Sequence, residues 1–97
     1  MHARLTFVQV DPDKLEETTA IFRDSVVPAA KQQFGFERGY LLADRATGKG
    51  VAITLWASEA DMKSGEGSGY YQQQLAKFAP LFKGPPVREV YEVEVQT

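Results

Sequence analysis

The segment Gly39–Ala57, GYLLADRATGKGVAITLWA, decides the fold of this chain. Two runs of apolar, β-branched and aromatic residues, Gly39–Arg45 and Val51–Ala57, flank a stretch that contains glycine and threonine, and this pattern predicts a β-hairpin. The second strand of the hairpin is apolar on both sides, with Val51, Ile53 and Leu55 on one side and Ala52 and Trp56 on the other. A strand with one solvated side would alternate apolar and polar residues. We therefore expect both faces of the sheet to be covered.

Two further strands are predicted outside the hairpin, at Leu5–Val10 and Val87–Val95. One helix is expected before the hairpin and a second one after it. The order βαββαβ is that of the α+β, ferredoxin-like fold, in which both helices cover one face of a four-stranded antiparallel sheet. We expect residues 1–97 to form one such domain. Because the helices leave the second apolar face uncovered, we predict a homodimer in which two sheets pack together.

The first helix is predicted to begin at Asp11 and Pro12 and to end at Phe34. Asp11 is a favourable capping residue, and proline suits the first helical position because its missing N–H costs nothing there. Pro28 lies inside the helical pattern and removes one backbone hydrogen bond. We therefore predict a bend near Asp24.

The second helix carries an unusual segment, Ser64–Tyr71, SGEGSGYY. A glycine inside a helix costs up to about 1 kcal/mol relative to alanine, so three glycines in five residues predict a break. We expect a short helix over Glu59–Lys63, a loop over Gly65–Gly69 and a longer helix from Tyr70. Two interpretations of the loop stay open: a mobile lid above a pocket near Trp56, or an ordinary flexible loop.

Composition excludes several classes of function. The net charge is -2 and the 11 Lys and Arg residues are scattered, so nucleic acid is not an expected partner. No apolar run approaches the roughly 18 residues of a membrane span, and no signal peptide is recognisable, so we expect a cytoplasmic protein. The chain has no Cys and no Asn, and its one histidine, His2, is expected to be frayed and solvated. Catalytic triads and histidine-rich metal sites are therefore not expected.

The chain resembles the antibiotic biosynthesis monooxygenase family, whose fold is the dimeric α+β barrel. The residues that carry the resemblance are the late proline in VVPAAKQQFGF, the hairpin, the Trp-Ala-Ser-Glu-Ala junction and the closing PPVREVYEV. The resemblance implies a pocket beside Trp56 and cofactor-free oxygenation of a planar aromatic compound. It does not extend to the haem degraders, whose histidine ligand would lie within Glu59–Tyr71. Cofactor-free oxygenases of the family carry an Asn four residues before the Trp, where this chain has Ala52.

Cofactor-free oxygenation needs an apolar pocket for a flat ring and donors that stabilise a developing anion. The candidate substrate-binding residues are Trp56, Tyr40, Tyr70 and Tyr71, which offer flat surfaces and N–H or O–H donors. Further donors by residue type are Arg38, Arg88 and Tyr91, and candidate general bases by type are Glu37, Asp44 and Glu66. Each of them has a structural interpretation as well, and no catalytic residue is assigned.

Three functions are compatible with this sequence. The first is a monooxygenase-like enzyme that acts on a small planar aromatic or quinone-like compound and needs no cofactor or metal. The second is a dimer that binds a small ligand without catalysis. The third is a purely structural dimer without an accessible cavity. Oxygen uptake separates the first from the other two, and ligand-dependent fluorescence of Trp56 separates the second from the third.

Overall fold

Four strands form one antiparallel sheet in the order β2-β3-β1-β4. This computed structural model describes all 97 residues. The strands are β1 (His2–Gln9), β2 (Phe36–Ala43), β3 (Lys49–Trp56) and β4 (Val87–Glu92). The predicted hairpin is β2–β3, and the predicted ferredoxin-like α+β fold is confirmed. β1 begins three residues earlier than predicted and β4 ends three residues earlier.

Strand register assigns every side chain of the central strands to one of two faces. His2, Arg4 and Thr6 of β1 pair with Trp56, Thr54 and Ala52 of β3, and these side chains face the helices. The alternate residues form the opposite face, here called the open face, which no helix covers. Its larger apolar members are Leu5, Phe7, Tyr40, Leu42, Val51, Ile53, Leu55, Val87 and Tyr91. The predicted division of β3 into two apolar sides is confirmed.

The first helical segment is irregular ahead of Pro28, in the stretch that contains Asp24, where a bend was predicted. After a 3₁₀ turn at Pro12–Lys14, α1 (Leu15–Ile21) continues through a π-helical stretch, Phe22–Val26, into α2 (Val27–Lys31). Proline has no N–H to bond to the carbonyl four residues before it, and a wider π turn accommodates the missing bond. The segment ends at Lys31, earlier than the predicted Phe34, and Phe34 is exposed.

The second helical segment departs from prediction. Ser58 caps α3 (Glu59–Gly67) by accepting a hydrogen bond from the Asp61 amide. α3 continues through Gly65, so the predicted loop over Gly65–Gly69 was wrong. The break comes at Gly69, whose φ of 87° lies in the left-handed region, and α4 (Tyr70–Ala76) follows. A 3₁₀ turn, Ala79–Leu81, leads towards β4. α3 stays helical at Gly65 although glycine disfavours a helix, and at this residue it lies close against the Tyr70 ring.

Two apolar clusters join the helices to the sheet. One contains Ala30, Trp56, Met62 and Tyr70, with Trp56 and Met62 fully buried. The other contains Phe22, Val26 and Phe78. No helix has the length and apolar character that a membrane crossing requires.

Candidate ligand site

A cavity of about 60 Å³ lies between the sheet and the helical layer. Its apolar lining residues come from both layers: Val8, Leu41 and Ala52 from the sheet, and Phe22, Val26, Leu75, Phe78 and Phe82 from the helices and the segment after α4. Several waters would fit by volume, but an engineered apolar cavity that takes up benzene measures about 150 Å³. A flat ring therefore enters this cavity only if lining side chains move.

Polar groups gather at the end of the cavity nearest Trp56. The hydroxyl oxygens of Thr6 and Tyr71 are 2.8 Å apart and share one hydrogen bond. Because each hydroxyl has one proton, the pair keeps a second proton that can be donated to a ligand. Arg4 lies over the ring of Tyr71, with the guanidinium carbon 4.0 Å from the ring centroid. All three side chains line the cavity.

Arg4 belongs to an ion cluster that ties three elements together. Its Nη1 donates to Glu66 Oε2 over 3.1 Å, while Arg88 donates Nε to the same oxygen over 2.8 Å and places Nη2 2.7 Å from Oε1. Burial opposes ionisation of Glu66, but hydrogen bonds from Arg88 and Arg4 and their positive charges outweigh it and lower the pKa of this carboxyl group. Glu66 is therefore a carboxylate fixed between two guanidinium groups.

The sequence pattern of the antibiotic biosynthesis monooxygenases matches residues 1–77. The chain belongs to the antibiotic biosynthesis monooxygenase family. No curated protein sequence matches it.

Solved structures with the same fold cover nearly the whole chain. A monooxygenase from Streptomyces coelicolor in complex with nanaomycin D is 17% identical, with 99% of this chain and 89% of that chain covered and a TM-score of 0.82. A mutant of SnoaB, a cofactor-independent oxygenase from Streptomyces nogalater, is 16% identical, with coverage of 98% and 94% and a TM-score of 0.74. A Nitrosomonas europaea protein of unknown function is 23% identical, with coverage of 99% and 91% and the same TM-score. At 16–23% identity, the likeness to these structures establishes the shared fold and nothing more about this chain.

The four predicted substrate-binding residues do not converge on the cavity. Tyr71 lines it. Trp56 is fully buried beside it, and its indole N–H donates to Thr54 Oγ1 over 2.9 Å. Tyr70 packs with Trp56, and burial raises its pKa, an effect that the charge of Arg4 only partly offsets. Tyr40 lies on the open face, where 45% of it is exposed.

Four of the other predicted donors and bases lie away from the cavity and from the ion cluster. Arg38 is exposed on the open face, and Glu37 and Asp44 are exposed as well. Tyr91, also on the open face, donates its hydroxyl to Glu89, and this bond raises the pKa of the tyrosine. None of these residues lines the cavity.

His2 is not the frayed, solvated residue that was predicted. It lies in β1, faces the helices with a side chain only 12% accessible, and its Nε2 is 3.4 Å from Glu59 Oε2. No group of three His, Cys, Asp or Glu side chains in the chain is placed to hold a metal ion.

Sequence reasoning missed Arg4, Thr6 and Thr54. The predicted first strand began at Leu5 and so left out Arg4 entirely. The signal was present as period-two alternation, because the polar residues Arg4 and Thr6 share one side of β1 while Leu5 and Phe7 share the other. The polar side faces the helices here and the apolar side faces outward, which reverses the usual arrangement of a two-layer fold.

Proposed function

We propose that this protein is a monooxygenase-like enzyme that oxidises a small planar aromatic or quinone-like compound without a cofactor. The observation that carries the proposal is the cavity itself. It has an apolar wall and, at one end, hydroxyl donors from Thr6 and Tyr71 beside the cation of Arg4. An apolar cleft with a few convergent polar groups is the usual form of a small-molecule site. Membership of the family supports the reaction type.

In such a reaction the substrate supplies the electrons. A CH₂ group between aromatic rings and one O₂ give a C=O group and one water, so the atoms balance without an external reductant. The apolar wall contributed by Phe22, Ala52 and Phe78 excludes water from the reacting anion. A proton from the Tyr71–Thr6 pair is donated to the ring oxygen on which negative charge develops.

Entry of a ring requires movement at one wall. Phe78 and Phe82 stack with their ring centroids 6.0 Å apart and both line the cavity. Phe82 lies outside helix α4 and is only partly buried, as is Leu75. We propose that these side chains rotate outward to admit the substrate.

Oxygen uptake tests the enzyme. Purified protein is mixed with an anthrone, which carries a CH₂ group between two aromatic rings, and the rate of oxygen uptake is compared with the uncatalysed rate. We expect Tyr71→Phe to lower the protein-dependent rate by about 100- to 1,000-fold, because it removes one donor to the developing anion. Ala52→Phe, which fills the cavity, abolishes it. Tyr40→Phe removes a hydroxyl from the open face and is the matched control. A wild-type rate equal to the uncatalysed rate for every substrate refutes the enzyme.

A second candidate is a dimer that binds the same kind of ligand without catalysis. One observation favours it: the one carboxylate next to the polar end, Glu66, is held ionised by Arg4 and Arg88 and is a poor proton acceptor. Saturable quenching of Trp56 fluorescence by an aromatic compound, without oxygen uptake, supports this alternative. Absence of both signals leaves the structural dimer.

We also propose that two copies pair through their open faces. Tyr40, Leu42 and Tyr91 are 45%, 52% and 53% exposed there, and a continuous apolar surface of this kind is unusual on a monomer. Ile53→Glu is expected to give monomers in native mass spectrometry, whereas Ala60→Glu, on the exposed side of α3, leaves the dimer intact. A wild-type monomer at tens of micromolar refutes the pairing.

We also propose a cytoplasmic location, which cell fractionation tests.

A further inference from the structure

We infer that two copies of the chain pair in one orientation, with β2 of each copy over β4 of the other, and that Arg38 and Glu89 set this orientation. The inference rests on the proposed pairing of open faces, and it adds the orientation and the residues that fix it. Because a two-fold interface repeats every contact, it contains two equivalent ion pairs, each between Arg38 of one protomer and the partner's Glu89.

Arg38 and Glu89 lie at opposite edges of the open face. Arg38 is in the edge strand β2, where it pairs with Leu55 of β3. Glu89 is in the other edge strand, β4, where it pairs with Leu5 of β1. Three strand spacings separate the two edges, a distance of roughly 14 Å. The two side chains are therefore too far apart to form an ion pair within one protomer.

Both charges lack an ionic partner in the protomer. Arg38 and Glu89 take part in none of its salt bridges. Glu89 is half-buried and accepts a hydrogen bond from the hydroxyl of Tyr91, two residues along the same strand. The carboxylate of Glu89 therefore leans towards Tyr91, whose row across the sheet ends at Arg38 on the opposite edge.

Pairing of two open faces removes both of these charges from water. A carboxylate that loses its water and keeps one hydrogen bond from a neutral phenol is destabilising, and so is an unpaired guanidinium group. An ion pair across the interface offsets that cost, whereas removal of one member leaves the other buried alone. We therefore expect the orientation of the two sheets that brings Arg38 to the partner's Glu89.

Two-fold symmetry allows two orientations of aligned sheets, which pack about 10 Å apart with their strands within about 30° of each other. If the axis runs along the strands, β2 lies over the partner's β4, and Arg38 lies over the partner's Tyr91 and within reach of the partner's Glu89. If the axis runs across the strands, β2 lies over β2 and β4 over β4, so that the charges at each edge have the same sign. Lys49, also on this face, lies on the central strand β3 and does not distinguish the two. The charge pattern favours the first orientation.

Charge reversal tests the contact, with the dimer dissociation constant measured by analytical ultracentrifugation. Arg38→Glu and Glu89→Arg are each expected to raise this constant about 30-fold or more, because each variant places like charges together in both symmetric contacts. The double variant restores opposite charges and is expected to dimerise within about tenfold of wild type. Arg45→Glu makes the same change of charge in the turn between β2 and β3, outside the open face, and is the matched control.

Cross-linking measures the orientation without relying on charge. The chain has no cysteine, so a thiol can be introduced at one position at a time. In the inferred orientation a short bis-maleimide joins the Arg38→Cys protein to the Glu89→Cys protein, so their mixture gives covalent dimers and each variant alone does not. In the other orientation like edges meet, and each variant alone gives covalent dimers.

The outcomes separate the orientation from the pairing itself. Dimers that tolerate both charge reversals, or that cross-link only like to like, overturn the orientation and leave the pairing of open faces in place. A double variant that dimerises no better than the single variants overturns the contact between Arg38 and the partner's Glu89. A wild-type protein that stays monomeric overturns the pairing and the inference together, and the oxygen-uptake assay tests the proposed reaction independently of both.

Discussion

Gly65, Gly67 and Gly69 follow one another at every second position, and we predict that alanine has a different effect on stability at each. Gly65 is buried in α3, and a Cβ placed on it would lie 3.1 Å from Cδ2 of Tyr70. A Cβ on Gly67 would have no atom within 4 Å. Gly69 joins α3 to α4 with φ of 87°. The three sites differ in space and backbone conformation although they share one sequence motif.

The magnitudes follow from these differences. Gly67→Ala is expected to stabilise the fold by roughly 0.5 kcal/mol, the lower end of the helix-propensity range, because Gly67 is the last residue of α3. Gly69→Ala is expected to destabilise it by about 1–2 kcal/mol, because a side chain is strained at positive φ.

Gly65→Ala is set by two opposing effects. Helix propensity favours alanine by about 1 kcal/mol. Against it, carbon atoms pack best at about 3.5–4.0 Å, so the Tyr70 ring would have to retreat by roughly half an ångström. Tyr70 is held by Trp56, Met62 and Ala30, and overpacking of such a cluster costs about 1–3 kcal/mol. We expect a net loss of between zero and about 2 kcal/mol.

Urea unfolding followed by Trp56 fluorescence measures all three variants. In a Tyr70→Leu background, which removes the ring atom that the added methyl group would meet, Gly65→Ala is expected to become neutral or stabilising. If Gly65→Ala in the wild-type background is as stabilising as Gly67→Ala, the ring yields freely and the reasoning about close helix packing is refuted.

Three further predictions concern single contacts. The pKa of Glu66 is lowered in the folded protein, so the stability that the ionised Glu66 contributes is complete above about pH 4.5, the ordinary pKa, and is lost as pH falls through the folded pKa. Glu66→Gln should therefore flatten the acid part of the curve of unfolding free energy against pH, and an unchanged slope would contradict the ion pairing of Glu66. Thr54→Val leaves the buried indole N–H of Trp56 without its acceptor and should cost about 1–3 kcal/mol in urea unfolding, whereas a loss below about 0.5 kcal/mol would show that another group accepts this proton. Met62→Ala empties a fully buried position and should cost about 2–5 kcal/mol in the same assay, with a smaller loss indicating that the cluster collapses around it.

The sheet was predictable because strand and turn signals are local. The apolar run of β3 and the glycines between β2 and β3 define a hairpin without reference to any distant residue. The irregularity ahead of Pro28 was predictable for the same reason, since a missing N–H acts on the turn before it. The glycines of α3 were misread because their effect depends on Tyr70, which packs against Gly65 across a helix boundary.

The site was less accessible to prediction because its polar groups depend on tertiary packing. Trp56 was singled out for its flat ring and its N–H, yet Thr54, two residues away on the same face of β3, accepts that N–H. The donors that line the cavity come instead from β1 and α4, where Thr6 and Tyr71 are 65 positions apart in sequence. The pairing of β1 with β3 places Thr6 on the helix-facing side of the sheet, and the packing of α4 on that side brings Tyr71 to it.

A buried arginine on the helix-facing side of a strand is costly unless something balances its charge. Glu66 provides part of that balance, and it can do so because α3 continues past Gly65 and carries the carboxylate over β1 and β4. Had the glycines formed the predicted loop, Glu66 would have no fixed position and Arg4 no fixed partner. The packing of α3 against Tyr70 and the ion cluster of Arg4, Glu66 and Arg88 therefore belong to one connected region, so we expect the glycine variants to weaken the Arg4–Glu66 contact along with the fold.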